Sequence, residues 1–460
     1  MKEQKRENFG SKLGIIMATA GSALGLGNIY RFPCEAGANG GGAFLIVYLV
    51  IALAIGTPLM IAEFVIGRRA KQGPIGAFRL LGLGREGQRR TPWTLVGYLG
   101  VVCAFLILAF YTTVAGWTLG YLGKAAANHF SGQDMAQISQ QFTDFTNHPW
   151  LPIVCQLAFL ALTAFVVARG VKQGIERWSK LLMPLLLVIM VILCVKSLTL
   201  PGAAEGLRFL FAPDFSKLTP HVIVSALGQS FFSLSIGMGA LITYGSYISR
   251  SDNLVTTATS VALADTLVAI LAGIVIFPAA FSFGIRPEAG ASLAFTTLPL
   301  VFQQMTGGYF FCLIFFLLLV IATLTSTISL LEVIVTALTE ELHLSRTAAA
   351  IAGTIGTAVI GVLATLSFRT ASPIHISGRS FFDLLDHVTA LYLMPIGGLL
   401  IVLFVGWRMR RKDMLDELSS GLVSEGSASR ASRFLATSIR FIIRYIAPVA
   451  ILVIFINQLT

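Results

Sequence analysis

Two short runs of glycine and small polar residues interrupt otherwise apolar stretches of this chain. They are Gly21-Ser22-Ala23-Leu24-Gly25-Leu26-Gly27-Asn28 and Ser233-Leu234-Ser235-Ile236-Gly237-Met238-Gly239. Glycine lowers helix stability by up to about 1 kcal/mol per position relative to alanine, so both runs predict a local loss of helix. Lipid cannot satisfy the peptide groups released there, which must be buried in protein or line a cavity. The available chemistry is ligand binding by carbonyls, amides and hydroxyls. Small-xxx-small spacing also promotes close helix packing, the other reading of either run alone. Two runs, each with polar flanks, point to binding. Arg31, three residues past the first run, lies inside an apolar span and needs a partner.

The other reactive side chains point elsewhere. His129, His148, His221, His343, His375 and His387 are scattered, and Cys34, Cys103, Cys155, Cys194 and Cys312 include no CxxC pair. Neither a zinc site nor a disulfide framework is expected. Glu63 and Glu332 have no evident acid–base partner and read as buried structural or pathway groups. Without a convergent nucleophile or metal set, the chain does not read as an enzyme. A channel would need a continuous polar pore, whereas the polar residues here gather at two short breaks.

The elements that must position these residues follow from composition. The 460 residues are 55% hydrophobic and only 12% charged, a balance that implies burial in a bilayer. We expect an all-α integral membrane protein of about eleven helices, over 12–37, 42–68, 93–123, 150–169, 175–199, 220–248, 254–284, 305–341, 346–367, 381–406 and 437–457. The broken helices are then the first and the sixth. The formal charge is +11, but with the amino terminus inside, roughly 25 of the 33 Lys and Arg fall on one side. That bias encodes topology rather than a nucleic-acid surface. The basic stretches 68–90, 169–180 and 408–440 belong to the cytoplasm, and 128–148, without Lys or Arg, belongs outside. An odd number of crossings places the carboxyl terminus outside a multi-pass protein of the cell (inner, plasma) membrane. The charged opening residues suggest no cleavable signal peptide. The expected organisation is a cytoplasmic segment 1–11, a first repeat 12–199, a second repeat 200–407, a linker 408–436 whose Ser419–Ser432 part is flexible, and a last helix 437–460.

The run from Gly21 to Pro33, with Asn28-Ile29-Tyr30-Arg31-Phe32-Pro33 at its end, and the run Gln229-Ser230-Phe231-Phe232-Ser233-Leu234-Ser235-Ile236-Gly237 resemble signature segments of the neurotransmitter:sodium symporter family. The similarity extends collinearly from Arg6 to about Trp407 and is nearest the bacterial amino acid transporter branch. It implies ten core helices in two inverted five-helix repeats, with helices 1 and 6 holding substrate. Many members have a twelfth helix, which is absent here.

Sodium requires several oxygen ligands, and the resemblance implies two sets. The first comprises the Ala23 carbonyl, Asn28, Ser233 and Asp265, with the substrate carboxylate as a further ligand. The second comprises carbonyls of Gly21, Leu24 and Ala322 with hydroxyls of Thr325 and Ser326. Bonding of Thr325 to the preceding helical turn is the structural alternative. Many animal members carry Asn at the position of Asp265 and bind chloride near a serine four residues later, where this chain has Ala269. A permanent carboxylate implies chloride independence, unless Asp265 sits at a wet helix end.

Substrate class follows from the same resemblance. Gly27 stands where monoamine carriers have an aspartate, which leaves room for a substrate carboxylate. Tyr111 would donate its hydroxyl to that group. Leu26, Ile107, Phe232, Ser235, Met238 and Leu330, with Ala23, Ser233 and Ser326 beside them, make a largely apolar pocket without fixed charge. A neutral, mainly hydrophobic amino acid is therefore expected. Met238, a flexible side chain, either widens that range to aromatic substrates or simply fills the core.

The implied outer gate is Arg31 with Asp386 and Asp383 above a lid of Phe232 and Tyr111; a static buried pair is the alternative. The implied inner gate is Arg6 with Glu340, joined by Tyr247, although Phe9 replaces the Trp of many members. Gly174 and Pro184 in helix 5 match either an unwinding motif or a proline kink. The resulting expectation is a symporter coupling two sodium ions to amino acid uptake by alternating access. Rival readings are a non-transporting amino acid sensor and a proton- or exchange-driven carrier of the same fold.

Overall fold

The computed structural model describes residues 7–83, 91–284, 293–370, 374–376, 378–420 and 430–459. Arg6 lies outside them, so the Arg6 part of the expected inner gate is not described. Among the described residues nine helices are long and apolar enough to cross a membrane, or ten with Lys12–Ala23 and Gly27–Ala38 counted as one bent span. An eleventh span consists of Pro220–Ser233 and Ala240–Gly245, two pieces each too short alone. Helices 2 to 5 are Gly42–Ala70, Thr94–Ala126, Leu151–Ala168 and Val171–Ser197. Helices 7 to 11 are Leu254–Ser282, Gly308–Glu341, Arg346–Leu366, Phe381–Arg408 and Phe434–Val453.

Local chemistry starts many of these helices. Side-chain oxygens of Ser11, Thr219, Asn253, Ser345 and Ser380 accept the amide of the residue three positions on, which satisfies a free donor at each first turn. Helix 8 is the centre of the bundle, with 83% of its apolar window buried. Helix 5 shows the opposite face: Leu181, Val188 and Val195, seven residues apart, are 62%, 56% and 61% exposed. That spacing draws one apolar stripe along the helix, as expected for a lipid-facing surface.

Both expected interruptions are present. Helix 1 bends by 52° between its two pieces. In helix 6 the residues between Ser233 and Ala240 leave the helix, and Ser235, Gly237 and Gly239 take φ of 56°, 85° and 76°. Glycine is required at Gly237, where a Cβ would stand 2.4 Å from the Met394 carbonyl oxygen.

The extramembrane segments are more ordered than the sequence reading expects. The stretch 128–148, expected outside, contains a helix, Met135–Asn147, begun by a capping box between Asp134 and Gln137 and held by buried Ile138 and Phe145. The basic stretch after helix 2 contains Pro74–Gly82. The expected linker holds a helix, Arg411–Ser419, because Met414 and Leu418 are buried and Glu417 meets Arg68 at 2.7 Å. Helix begins again at Arg430 rather than 437, and helix 5 begins at Val171 rather than 175 because Gly170, at φ 90°, turns the chain there. A two-stranded hairpin pairs His375–Ile376 with Arg379–Ser380. The described part of 419–432 is its two ends; residues 421–429 lie outside the described residues.

Helices 2 and 6 touch through backbone: a Cβ on Gly67 would lie 1.9 Å from the Ile242 carbonyl oxygen, whereas one on Gly123 would meet nothing within 4 Å. Gly67→Ala is expected to destabilise the purified protein by about 1–3 kcal/mol or more, as overpacking does. Gly123→Ala should be neutral or slightly stabilising. Thermal unfolding of the two variants in detergent checks the contrast.

Candidate functional site

The two breaks face each other across the middle of the bundle. From helix 1, Asn28 donates Nδ2–H to Asp265 Oδ1 at 2.7 Å and to the Asp265 carbonyl at 3.0 Å. From the end of the first half of helix 6, Ser233 Oγ lies 2.8 and 2.9 Å from the two Asp265 carboxylate oxygens and 3.2 Å from Asn28 Oδ1. Tyr48, from helix 2, donates its hydroxyl to Asp265 Oδ2 at 2.8 Å. Asp265 and Asn28 are fully buried, and Asp265 sits in the middle of Leu254–Ser282. It is therefore not at a wet helix end. A buried carboxylate with three side-chain partners is a charge kept in place by hydrogen bonds, and its other oxygen lone pairs suit a hard cation.

The neighbouring backbone is also held by side chains. Gln229 Nε2 donates to the Gly27 carbonyl at 2.8 Å. The Leu26 amide donates to the Tyr111 hydroxyl at 3.1 Å, which leaves the phenol proton free to point into the adjacent cavity. The Ser22 carbonyl accepts from Ser235 Oγ at 3.0 Å. Glu63 is the cap of the broken helix 6: its Oε1 accepts the Gly237 amide at 2.7 Å.

That cavity is lined by Ser22, Ala23, Gly25, Gly27, Ile107, Tyr111, Phe232, Ser235, Met238, Ser326, Ser329 and Leu330. The structure thus gathers nine of the eleven expected substrate contacts at one place. Leu26 joins through its amide bond to Tyr111, and Ser233 lies next to Phe232 with its side chain on the Asp265 cluster. Ser22, Gly25 and Ser329 are additions. A Cβ on Gly25 would fall 2.4 Å from Ser326 Oγ and 2.7 Å from the Tyr111 hydroxyl, and one on Gly27 would fall 3.1 Å from the Phe232 ring. Gly25 is therefore the position that keeps the polar end of the cavity open.

The second expected oxygen set brings helices 1 and 8 together. Thr325 Cβ is 3.2 Å from where a Cβ on Gly21 would be, and Ser326 Oγ reaches the Ser22 carbonyl at 3.5 Å. Thr325 Oγ1 also bonds within its own helix, to the Ala322 carbonyl at 3.0 Å. Both expected readings of Thr325 are compatible with that geometry, because a hydroxyl that donates to a carbonyl keeps its own lone pairs for a cation. Leu24, the other member, ends the first half of helix 1.

Vestibules lie at both ends. One, of about 400 Å³, is lined by Arg31, Arg379, Asp383, Asp386 and His387. The Arg31 guanidinium sits 4.4 Å from the centre of the Phe232 ring. Among the described residues no ion pair joins Arg31 to Asp386, so the two charges face one open space. The other vestibule, of about 600 Å³, is lined by residues that include Glu7, Tyr247, Thr336, Glu340 and Arg346. Here Arg346 grips Glu332 with two nitrogens at 2.6 and 3.1 Å, and Tyr247 donates to Glu332 at 2.6 Å. Glu340 accepts the Gly73 amide at 2.9 Å. The first turn of helix 1 is tied to helix 5, since Glu176 accepts the Gly10 amide at 2.6 Å and the Ser11 hydroxyl at 3.0 Å. Helix 5 is helical from Gly174 to Pro184, and Gly174 lets it touch helix 4, where a Cβ would stand 2.1 Å from the Val166 carbonyl.

Sequence reasoning missed Tyr48, Gln229 and the Glu332–Arg346 pair. Tyr48 and Gln229 meet partners 217 and 202 residues away, Arg346 reaches Glu332 from the next helix, 14 residues on, and Tyr48 reads as one more apolar residue in helix 2. The signals present were a lone tyrosine and a glutamine within apolar runs, residues that need a hydrogen-bond partner when buried.

Asn28→Ala removes a donor from Asp265 and an oxygen from the cluster. In the unaltered protein, replacing potassium by sodium should raise the melting temperature by mass action. In N28A that rise should shrink and need more sodium, as a titration of thermal unfolding against sodium would reveal.

The chain matches the model of the "Sodium:neurotransmitter symporter family" over residues 6–130 and 123–460. It is 39% identical over 457 residues to a sodium-dependent transporter of Bacillus subtilis, YhdH, covering 99% of this chain and 98% of that one. It is 27% identical to the mouse sodium-dependent neutral amino acid transporter B(0)AT2, over 60% of this chain and 41% of the relative. The crystal structure of MhsT in complex with L-phenylalanine superimposes with a TM-score of 0.88 at 43% identity, covering 98% of this chain and 99% of that one. With its two broken helices enclosing one polar junction, the chain belongs to the sodium:neurotransmitter symporter family, a family of sodium-dependent transporters rather than enzymes.

Proposed function

We propose that this protein is a symporter that uses two sodium ions to take up neutral, mainly hydrophobic amino acids, without chloride. The observation that carries the reading is the convergence of Asn28, Ser233 and Asp265 beside an apolar cavity whose polar end holds Tyr111, Gly25 and Ser326. A carboxylate-bearing ligand in that cavity would have its charged end toward the helix 1 break and its side chain among Ile107, Phe232, Met238 and Leu330. The phenylalanine bound to the similar protein MhsT supports a hydrophobic substrate.

The first sodium takes the Ala23 carbonyl, Asn28, Ser233, Asp265 and the substrate carboxylate, which couples ion to substrate through a shared ligand. The second takes Gly21, Leu24, Ala322, Thr325 and Ser326 and bridges helices 1 and 8. Sodium held there favours one relative position of those helices, which is how an ion gradient biases alternating access. Each sodium entering a negative interior at 100 mV contributes about 2.3 kcal/mol in addition to its concentration gradient. Closure of Arg31 onto Asp386, above Phe232, seals the outer vestibule. On the opposite side Glu176, Glu332–Arg346 and Tyr247 hold the inner end together until helix 5 opens. The amino terminus is cytoplasmic and the carboxyl terminus faces outside, in the cell membrane.

Uptake of labelled phenylalanine and leucine into proteoliposomes is the direct test. A sodium gradient should drive accumulation, and potassium or choline in its place should abolish it. Sodium-insensitive accumulation would instead identify an exchange- or proton-driven carrier, and sodium-dependent binding without uptake would identify a sensor.

The fixed charge at Asp265 has a separate consequence. Asp265→Asn removes it while Ala269 offers no hydroxyl to hold an anion, so uptake should fall at least tenfold in any salt, the scale expected for losing a charged hydrogen-bonding group. Adding Ala269→Ser should restore part of the activity in chloride but not in gluconate.

A further inference from the structure

We propose that the corner between helices 10 and 11 at the Arg408 end binds the phosphate of an anionic phospholipid. The last turn of helix 10, Phe404–Arg408, packs on the turn Ile442–Ile446 of helix 11. Gly406 makes this approach possible, since a Cβ there would lie 3.0 Å from Arg444 Cα. Trp407 then fixes Arg444: its indole N–H donates to the Arg444 carbonyl at 3.2 Å, and its ring centre is 4.3 Å from the guanidinium. Arg440 lies one turn earlier on the same helix, near enough for the charge of Arg444 to act on it.

These cations have donors to spare and no anion. Arg440 Nη1 and Arg444 Nε are inaccessible and without a hydrogen-bond partner. The nearest charges acting on Arg440 are Arg444 and Arg411, both positive. The local acids are turned away: Glu417 and Asp413 bind Arg68 and Arg69 at the end of helix 2. Asp416 is exposed, and among the described residues no carboxylate forms an ion pair with Arg408, Arg411, Arg440 or Arg444. Like charges held side by side with buried, unmade hydrogen bonds are stabilised by an oxyanion, and the guanidinium fork fits the phosphate group.

A lipid supplies that phosphate better than free solution does. Arg444 packs on Gly406 and Trp407, within two residues of the end of the apolar span Phe381–Arg408, the depth where headgroups meet acyl chains. Phe441 and Tyr445, beside Arg440 and Arg444, are 55% and 47% exposed, an apolar rim that free phosphate would not use and acyl chains would.

Native mass spectrometry of the whole purified protein, titrated with phosphatidylglycerol, phosphatidylcholine or inorganic phosphate, tests the site. The unaltered protein should retain one phosphatidylglycerol in preference to phosphatidylcholine. Arg440→Gln with Arg444→Gln should weaken that retention about 30-fold, while Lys172→Gln, an exposed cation elsewhere, should leave it unchanged. A normal melting temperature in phosphatidylcholine nanodiscs establishes that the double variant is folded. Should it fail to fold, Arg440→Lys with Arg444→Lys, which keeps the charge and loses the fork, should still weaken retention several-fold. Equal weakening by Lys172→Gln would reduce the effect to diffuse surface charge and overturn the site. Displacement of the lipid by inorganic phosphate at equal concentration would overturn its assignment to lipid.

Discussion

A peptide group inside a membrane has no water to bond with, and this structure depends on how that demand is met where helices 1 and 6 stop being helices. Gln229 takes the Gly27 carbonyl, Glu63 takes the Gly237 amide, Tyr111 takes the Leu26 amide and Ser235 takes the Ser22 carbonyl. Each of these side chains comes from another helix or from the facing break. The breaks therefore exist because their surroundings supply partners, and the same surroundings fix where the remaining oxygens point. A binding site in this fold is a by-product of repairing two damaged helices with distant side chains.

The polar groups form separate stations along one axis. Arg31 and the Asp383–Asp386 pair stand at one vestibule, Asp265 with Asn28, Ser233 and Tyr48 at the middle, and Glu332 with Arg346 and Tyr247 at the other vestibule. Buried ion pairs contribute little net stability because desolvation offsets attraction. Their use is in position: Arg346 and Glu332 join helices 9 and 8, and Glu176 joins helix 5 to the first turn of helix 1. Arg31 and Asp386 face one space without an ion pair, whereas Arg346 grips Glu332 at the edge of the other vestibule. Helix 8, almost entirely buried, touches the central cavity through Ser326, Ser329 and Leu330 and the vestibule at Glu332 through Thr336, Thr339 and Glu340. It is the rigid element along which the stations are ordered.

Sequence and structure divide unequally between fold and site. The spans were legible because the apolar residues of a helix surrounded by lipid need no partner to be recognised, and helices 2, 3, 7, 8, 9 and 10 begin and end close to the expected positions. The helices outside the membrane were read as loops. Met135–Asn147 is polar and is held by two buried residues, Ile138 and Phe145, whereas Arg411–Ser419 depends on Glu417 reaching Arg68 from 349 residues away in sequence. Local propensity is too weak to reveal an element that long-range contacts create.

What the amino-acid sequence determined by itself was the number and order of the spans, the two breaks, and the residue types able to replace water around a cation, since glycine density and apolar length are local properties. Tertiary structure alone decided the rest: that Tyr48 completes the setting of Asp265, that Gly25 rather than Gly27 keeps the polar end of the cavity open, and that Glu332 belongs to Arg346. Those facts are distances between helices, and a hydrogen bond of 2.7 Å between residues 237 positions apart leaves no periodicity in the chain from which it could be read.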